Sequence, residues 1–189
     1  MRKLIAYLGV AVMGMFQVAN ANTITVTPYS GVLNSSRWEG KETSQNEIDQ
    51  RVKEITGYTE FLYKADEGSG EESGVLKDSY ETSFDPADDP QDALVAYVTG
   101  KDYVGSTAYG LVKDGNQDTA WYLFNLTKLG WNGTEELFFK DFWPYNGAIS
   151  HVALYGRREP GIPSPDGAFT AALMVMSMLG LGFLARRKA

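Results

Sequence analysis

A mainly β chain, folded as an antiparallel β-sandwich with one short helix, is the fold class this sequence predicts, and three observations predict it. Most apolar segments alternate with a period of two and are bounded by Gly, Pro, Asn and Asp. Only one segment repeats its apolar residues at helical spacing. The strands follow one another through turns rather than through helices, which favours antiparallel pairing over βαβ units. Within that class a jelly-roll-like arrangement is expected.

The elements follow in order. Thr23-Ile24-Thr25-Val26-Thr27 is β-branched and alternating, hence a strand. Residues 28–38 are rich in turn formers. Ser44-Gln45-Asn46-Glu47 has capping-box spacing, in which hydroxyl and carboxylate would satisfy free amides at a helix start. Behind it Ile48, Val52 and Ile55 form one stripe, and Gly57 is placed to end the helix. A helix over 45–56 is therefore expected to lay that stripe on a sheet. Further strands are expected over 59–65, 78–84, 93–99, 109–112, 120–126, 136–139 and 149–155, about eight in all. The stretch 66–74, Asp-Glu-Gly-Ser-Gly-Glu-Glu-Ser-Gly, reads as a mobile acidic loop, and 85–92 as an acidic loop with two prolines. Asp114-Gly115 is a tight-turn signal between two strands.

Both ends of the chain carry processing signals. Met1-Arg2-Lys3 is a basic start, residues 4–16 are apolar, and Ala19-Asn20-Ala21 is a small-x-small cleavage pattern, so residues 1–21 read as a secretory signal peptide helix. At the other end Pro163-Ser164-Pro165-Asp166-Gly167 precedes an uncharged apolar run of 18 residues, 168–185, and then Arg186-Arg187-Lys188. As a helix that run would span roughly 27 Å, close to a bilayer's hydrocarbon thickness. The basic cluster would hold its end on the cytoplasmic side. The division expected is thus 1–21 signal peptide, 22–158 extracellular β-sandwich domain, and 159–189 linker, membrane helix and basic end.

Residues 22–165 hold 12 Lys and Arg against 23 Asp and Glu, a net charge of −11. That balance argues against nucleic acid as a partner, because phosphate binding needs clustered cations. The chain has no cysteine. An exported domain without disulfides must be held by its core, or by a metal. Aromatic residues in the long strands supply the core volume.

The tail resembles a PEP-CTERM sorting signal of the Pro-Asp-Gly type, through Pro163, Pro165, Asp166, Gly167, the run 168–185, and Arg186, Arg187, Lys188 in order at the chain end. The body resembles a recurring extracellular domain found ahead of such tails. That likeness is carried by Tyr63-Lys64-Ala65-Asp66, Leu111-Val112-Lys113-Asp114-Gly115-Asn116, Ala120-Trp121-Tyr122-Leu123-Phe124, Trp131-Asn132-Gly133-Thr134, Phe142-Trp143-Pro144 and the segment from Gly147 to Gly156. The resemblance implies export through the Sec translocon and an inner-membrane-anchored precursor. It further implies recognition by an exosortase, then release to or attachment at the surface of an exopolysaccharide-making cell. It supplies no catalytic residues.

Three function classes remain open at this stage: an exported cell-surface or biofilm-matrix protein, a carbohydrate-binding module at the same place, and a secreted polysaccharide-acting enzyme. His151 is the single histidine, set in an alternating strand, where a structural hydrogen-bonding role is expected. There is no Gly-x-Ser-x-Gly elbow and no metal-ligand histidine spacing, so no catalytic residue is assigned. Asp66, Glu67, Glu71 and Glu72 form a candidate calcium loop, since hard cations take oxygen ligands, although EF-hand spacing is absent. Asp85, Asp88, Asp89 and Asp92 are a second acidic group. Trp131 and Trp143, near turns, are the candidate glycan-stacking platforms, with Trp38, Trp121 and Tyr145 as further aromatic candidates.

Overall fold

The computed structural model describes residues 22–114, 117–145 and 147–161. The signal peptide, the sorting residues Pro163, Pro165, Asp166, Gly167, Arg186, Arg187 and Lys188, and the run 168–185 lie outside the described residues. Among the described residues no helix is long and apolar enough to cross a membrane.

The body is mainly β with one helix. Its strands are β1 (Thr23–Val26), β2 (Arg37–Gly40), β3 (Tyr63–Asp66), β4 (Glu72–Ser73), β5 (Tyr80–Asp85), β6 (Asp92–Tyr97), β7 (Tyr103–Val104), β8 (Tyr109–Lys113), β9 (Trp121–Asn125), β10 (Glu136–Phe139), β11 (His151–Tyr155) and β12 (Arg158–Glu159). The helix α1 is Gln45–Thr56. One sheet has the order β1-β10-β6-β5, a second β2-β9-β8-β11-β3-β4, and β12-β7 is a separate ribbon. All pairs are antiparallel except β1 with β10, which run parallel. Sheets of four and six strands with a parallel edge pair depart from the expected eight-strand jelly roll.

The six-stranded sheet is covered on both faces, and its sequence shows why. In β8, β9 and β11 both alternating sets of side chains are apolar, so neither face can be left to water. Val112, Phe124, Val152 and Leu154 face the four-stranded sheet and meet Val26, Val95, Leu137 and Phe139 in the main core. Leu111, Trp121, Leu123, Ala153 and Tyr155 face the other way and are closed over by Ile48 and Val52 of α1.

The helix has the bounds expected. Gly57 ends it in the left-handed region at φ 81°, its amide donating to the Lys53 carbonyl at 2.8 Å. The start differs from a capping box. The Ser44 hydroxyl makes no bond to a helix amide and instead donates to Glu47 Oε2 at 2.7 Å. Glu42 performs the tethering, accepting from Trp121 Nε1 on β9 and from Arg51 Nε on α1, each at 3.0 Å. The Arg51 guanidinium and the indole N–H together hold the Glu42 carboxyl below its usual range.

Two boundaries also move. The expected acidic loop 66–74 contains β4, which pairs with β3. The domain does not stop at 158, because β12 spans Arg158 and Glu159 and pairs with β7. Asp102 fastens this end, accepting from Arg158 Nε at 2.7 Å and from the Gly161 amide at 3.2 Å.

Because Ile48 is fully buried between α1 and the sheet, truncation in Ile48→Ala is expected to destabilise the fold by ~3 kcal/mol. Chemical denaturation checks this: the midpoint falls while the slope stays unchanged.

Candidate functional site

The strand order brings four loops to one end of the sandwich. They follow β3, β5, β8 and β10, and they enclose a cleft of about 480 Å³ lined by Glu67, Asp89, Gln91, Asp114, Gln117, Tyr145 and the backbone of 147–150. The β10–β11 loop is pinned across this end. Its Ala148 amide donates to Asp114 Oδ2 at 2.8 Å, its Ile149 amide to the Pro90 carbonyl at 2.7 Å, and its Ser150 amide to the Lys113 carbonyl at 2.7 Å. Tyr145 stands at the rim, 92% exposed.

The candidate calcium residues are not gathered into a site. Among the described residues no three of His, Asp and Glu are grouped to hold a metal ion. Lys64 Nζ takes Asp66 at 2.6 Å. Glu72 accepts from the Tyr63 hydroxyl at 2.7 Å and the Thr82 amide at 3.0 Å, which binds it to the sheet. Glu67 turns to the end cleft, while Glu71 is exposed. In the second acidic group, Asp92 accepts from the Asp141 amide at 2.8 Å.

The stacking platforms need correction as well. Trp131 is only 3% exposed, packed on Tyr80 with its indole N–H donating to the Glu135 carbonyl at 2.8 Å. It has no free face for a sugar. Trp143 is half-buried, packed between Tyr122 and Phe142, and its indole N–H donates to the Thr119 carbonyl at 2.8 Å. Trp121 is buried under α1. Of the aromatic candidates read from the sequence, Tyr145 alone is largely open.

His151 lies in a single cross-strand row, Asp66–His151–Lys113–Trp121–Gly40. The expected hydrogen-bonding role is not met. Nδ1 is 3.9 Å from Asp66 Oδ1, beyond hydrogen-bond length, and Nε2 is buried with no partner among the described residues. Burial, with Lys64 and Lys113 nearby, lowers its pKa to about 3 despite Asp66. Its chain neighbour Ser150 donates its hydroxyl to the Lys113 carbonyl at 3.0 Å, so no serine–histidine couple forms. An enclosed, neutral imidazole without a nucleophile is a core residue.

A second concavity was not legible in the sequence. Tyr97, Thr99, Tyr103, Asn132 and Thr134 line a groove of about 460 Å³ at the other end of the sandwich, beyond the last residue of β6 and the first of β10. No acidic or basic side chain lines it. Its only sequence signals are the two-residue spacing of Tyr97 and Thr99 and the Asn132-Gly133-Thr134 turn.

These features define a class, a mainly β sandwich with one helix and two described concavities, one at each end. No protein-family model, curated protein or solved structure matches the chain.

His151 is neutral in the fold down to about pH 3 but takes a proton near pH 6.5 when unfolded. The unfolded state therefore binds more protons in that window, and this group's contribution to stability is present above pH 6.5 and is lost as pH falls toward 3. His151→Leu is expected to remove that component. Measured from pH 7 to 4, wild type is expected to lose unfolding free energy relative to the variant as pH drops; parallel curves would contradict it.

Proposed function

We propose that this chain is an exported cell-surface or extracellular-matrix protein, sorted by an exosortase through its C-terminal signal, whose β-sandwich body acts by binding rather than by catalysis. The observation that carries this reading is the three-part tail, in which Pro165-Asp166-Gly167, the apolar run 168–185 and Arg186-Arg187-Lys188 stand in order. The body is compatible with it. The first strand starts at Thr23, just past the expected cleavage after Ala21, so removal of the leader leaves β1 intact. The acidic, cysteine-free composition suits export without dependence on oxidation. The enclosed His151 supports binding over catalysis.

The second reading, a carbohydrate-binding module at the surface, is favoured by aromatic side chains that line concavities, Tyr145 at the end cleft and Tyr97 and Tyr103 in the groove at the other end. A sugar ring packs its C–H face on an aromatic ring and needs hydroxyl or amide partners for its own hydroxyls.

Mass spectrometry of the mature protein from its host tests the export reading. The expected species begins at Asn22 and lacks residues 168–189. A mature species that retains the whole tail would overturn sorting and leave a permanent anchor.

A further inference from the structure

The groove at the far end is built differently from the end cleft, and its construction suggests its ligand. Behind it stands Tyr80, 1% exposed, whose hydroxyl donates to the Gly133 carbonyl at 2.9 Å and accepts from the Val104 amide at 2.8 Å. Those two bonds join the opposite walls of the groove, since Val104 follows Tyr103 and Gly133 lies between Asn132 and Thr134. Gly133 is required there. Its φ is 94°, and a Cβ would strike the Val104 carbonyl and come within 2.7 Å of the Tyr103 ring.

The aromatic wall is equally fixed. The Tyr97 ring lies 5.9 Å from Tyr80 and 6.2 Å from Tyr103, the latter edge-on at 76°. The Tyr97 hydroxyl donates to the Lys101 carbonyl. On the other wall, Asn132 Oδ1 accepts from the Thr134 amide at 2.9 Å, the Thr134 hydroxyl at 3.1 Å and the Glu135 amide at 3.1 Å. The groove thus offers two held rings, exposed threonines and an amide in a concavity of ligand size, with little left to order on binding. Tyr145, by contrast, projects almost wholly into solvent and would have to be ordered.

We propose that the groove formed by Tyr97, Thr99, Tyr103, Asn132 and Thr134 is a binding site for an uncharged polysaccharide. The inference rests on the carbohydrate-binding reading and adds the site and the ligand class. The rings take the C–H faces of the sugar, and the threonine hydroxyls and Asn132 amide meet its hydroxyls. With no cation in the groove and a strongly acidic body around it, polyuronates and sulfated glycans are repelled.

The test is isothermal titration of the full chain, held in a sugar-free detergent, with a soluble neutral β-glucan and with a polyuronate. Neutral glucan is expected to bind, and polyuronate is not. Tyr103→Ala is expected to weaken glucan binding about tenfold. Thr99→Val, at an exposed position that leaves the fold unperturbed, is expected to weaken it about fivefold and carries the test should Tyr103→Ala fail to melt cooperatively. Tyr145→Ala is expected to leave it within about twofold. Glucan binding that depends on Tyr145 and not on Tyr103 or Thr99 would overturn the groove while keeping the carbohydrate reading. Failure of wild type to bind either polymer would overturn both. Equal binding of polyuronate, or binding of a synthetic peptide copying the Pro-rich residues 159–166 in place of glucan, would overturn the ligand class. None of these outcomes touches the export reading, which the mature mass decides.

Discussion

Burial of the six-stranded sheet on both faces is the constraint on which the rest of the body depends. A chain without cysteine gains no disulfide to brace it, which puts more weight on its packing. Strands β8, β9 and β11 therefore carry two apolar sets each, one for each face. The four-stranded sheet closes one side and α1 the other, so two cores share one sheet. The helix is a structural cover with no part in either concavity described at the two ends of the sandwich. Once the sheet is clamped in this way, its edges and connecting loops are free to differ, and both concavities are found there.

Polar chemistry inside the body follows from the same constraint. Side chains drawn into the two cores lose water, and their ionisation shifts accordingly. His151 stays neutral, burial holds the Lys113 ammonium below its usual range, and the Tyr63, Tyr80 and Tyr155 phenols are all pushed upward. Some of these groups find partners and become joints. Tyr80 links two walls, and Tyr63 shares its hydroxyl between Glu72 and Thr82, at 2.7 and 2.6 Å. Others stay unpaired among the described residues, as His151 Nε2 and the Tyr155 hydroxyl do.

What could be read from the sequence was what local chemistry determines. The helix was legible to the residue, because its apolar stripe and Gly57 are both local signals. Strand β10 was legible because Glu136–Phe139 is a short, largely apolar segment bounded by turn formers. Strand β2 was not: Arg37–Gly40 holds a single large apolar residue, and only its pairing with β9 makes it a strand. The two-residue strands β7 and β12 likewise owe their existence to a partner brought from afar, while β4 forms a local hairpin with β3. The candidate ligand residues failed for a related reason. Nearness to a turn does not say which way an indole points, and Trp131 turned inward because Tyr80 and the Glu135 carbonyl give it a place there. Tyr97 carried no signal beyond its place in the strand expected over 93–99, because alternation marks a face without naming what lies across from it.

The ribbon β12–β7 has a mechanical consequence. Tension applied through the chain beyond Gly161 reaches the sandwich first through two residue pairs and the bonds that Arg158 and Gly161 make to Asp102. The Arg158 and Asp102 side chains are partly exposed to water, so their ion pair contributes little. The two cores behind it are far larger. Under load this ribbon peels before either core is strained, and it lengthens the tether by a few residues while the sandwich stays folded. A protein held at a surface by its C-terminal end would thus carry its own shock absorber.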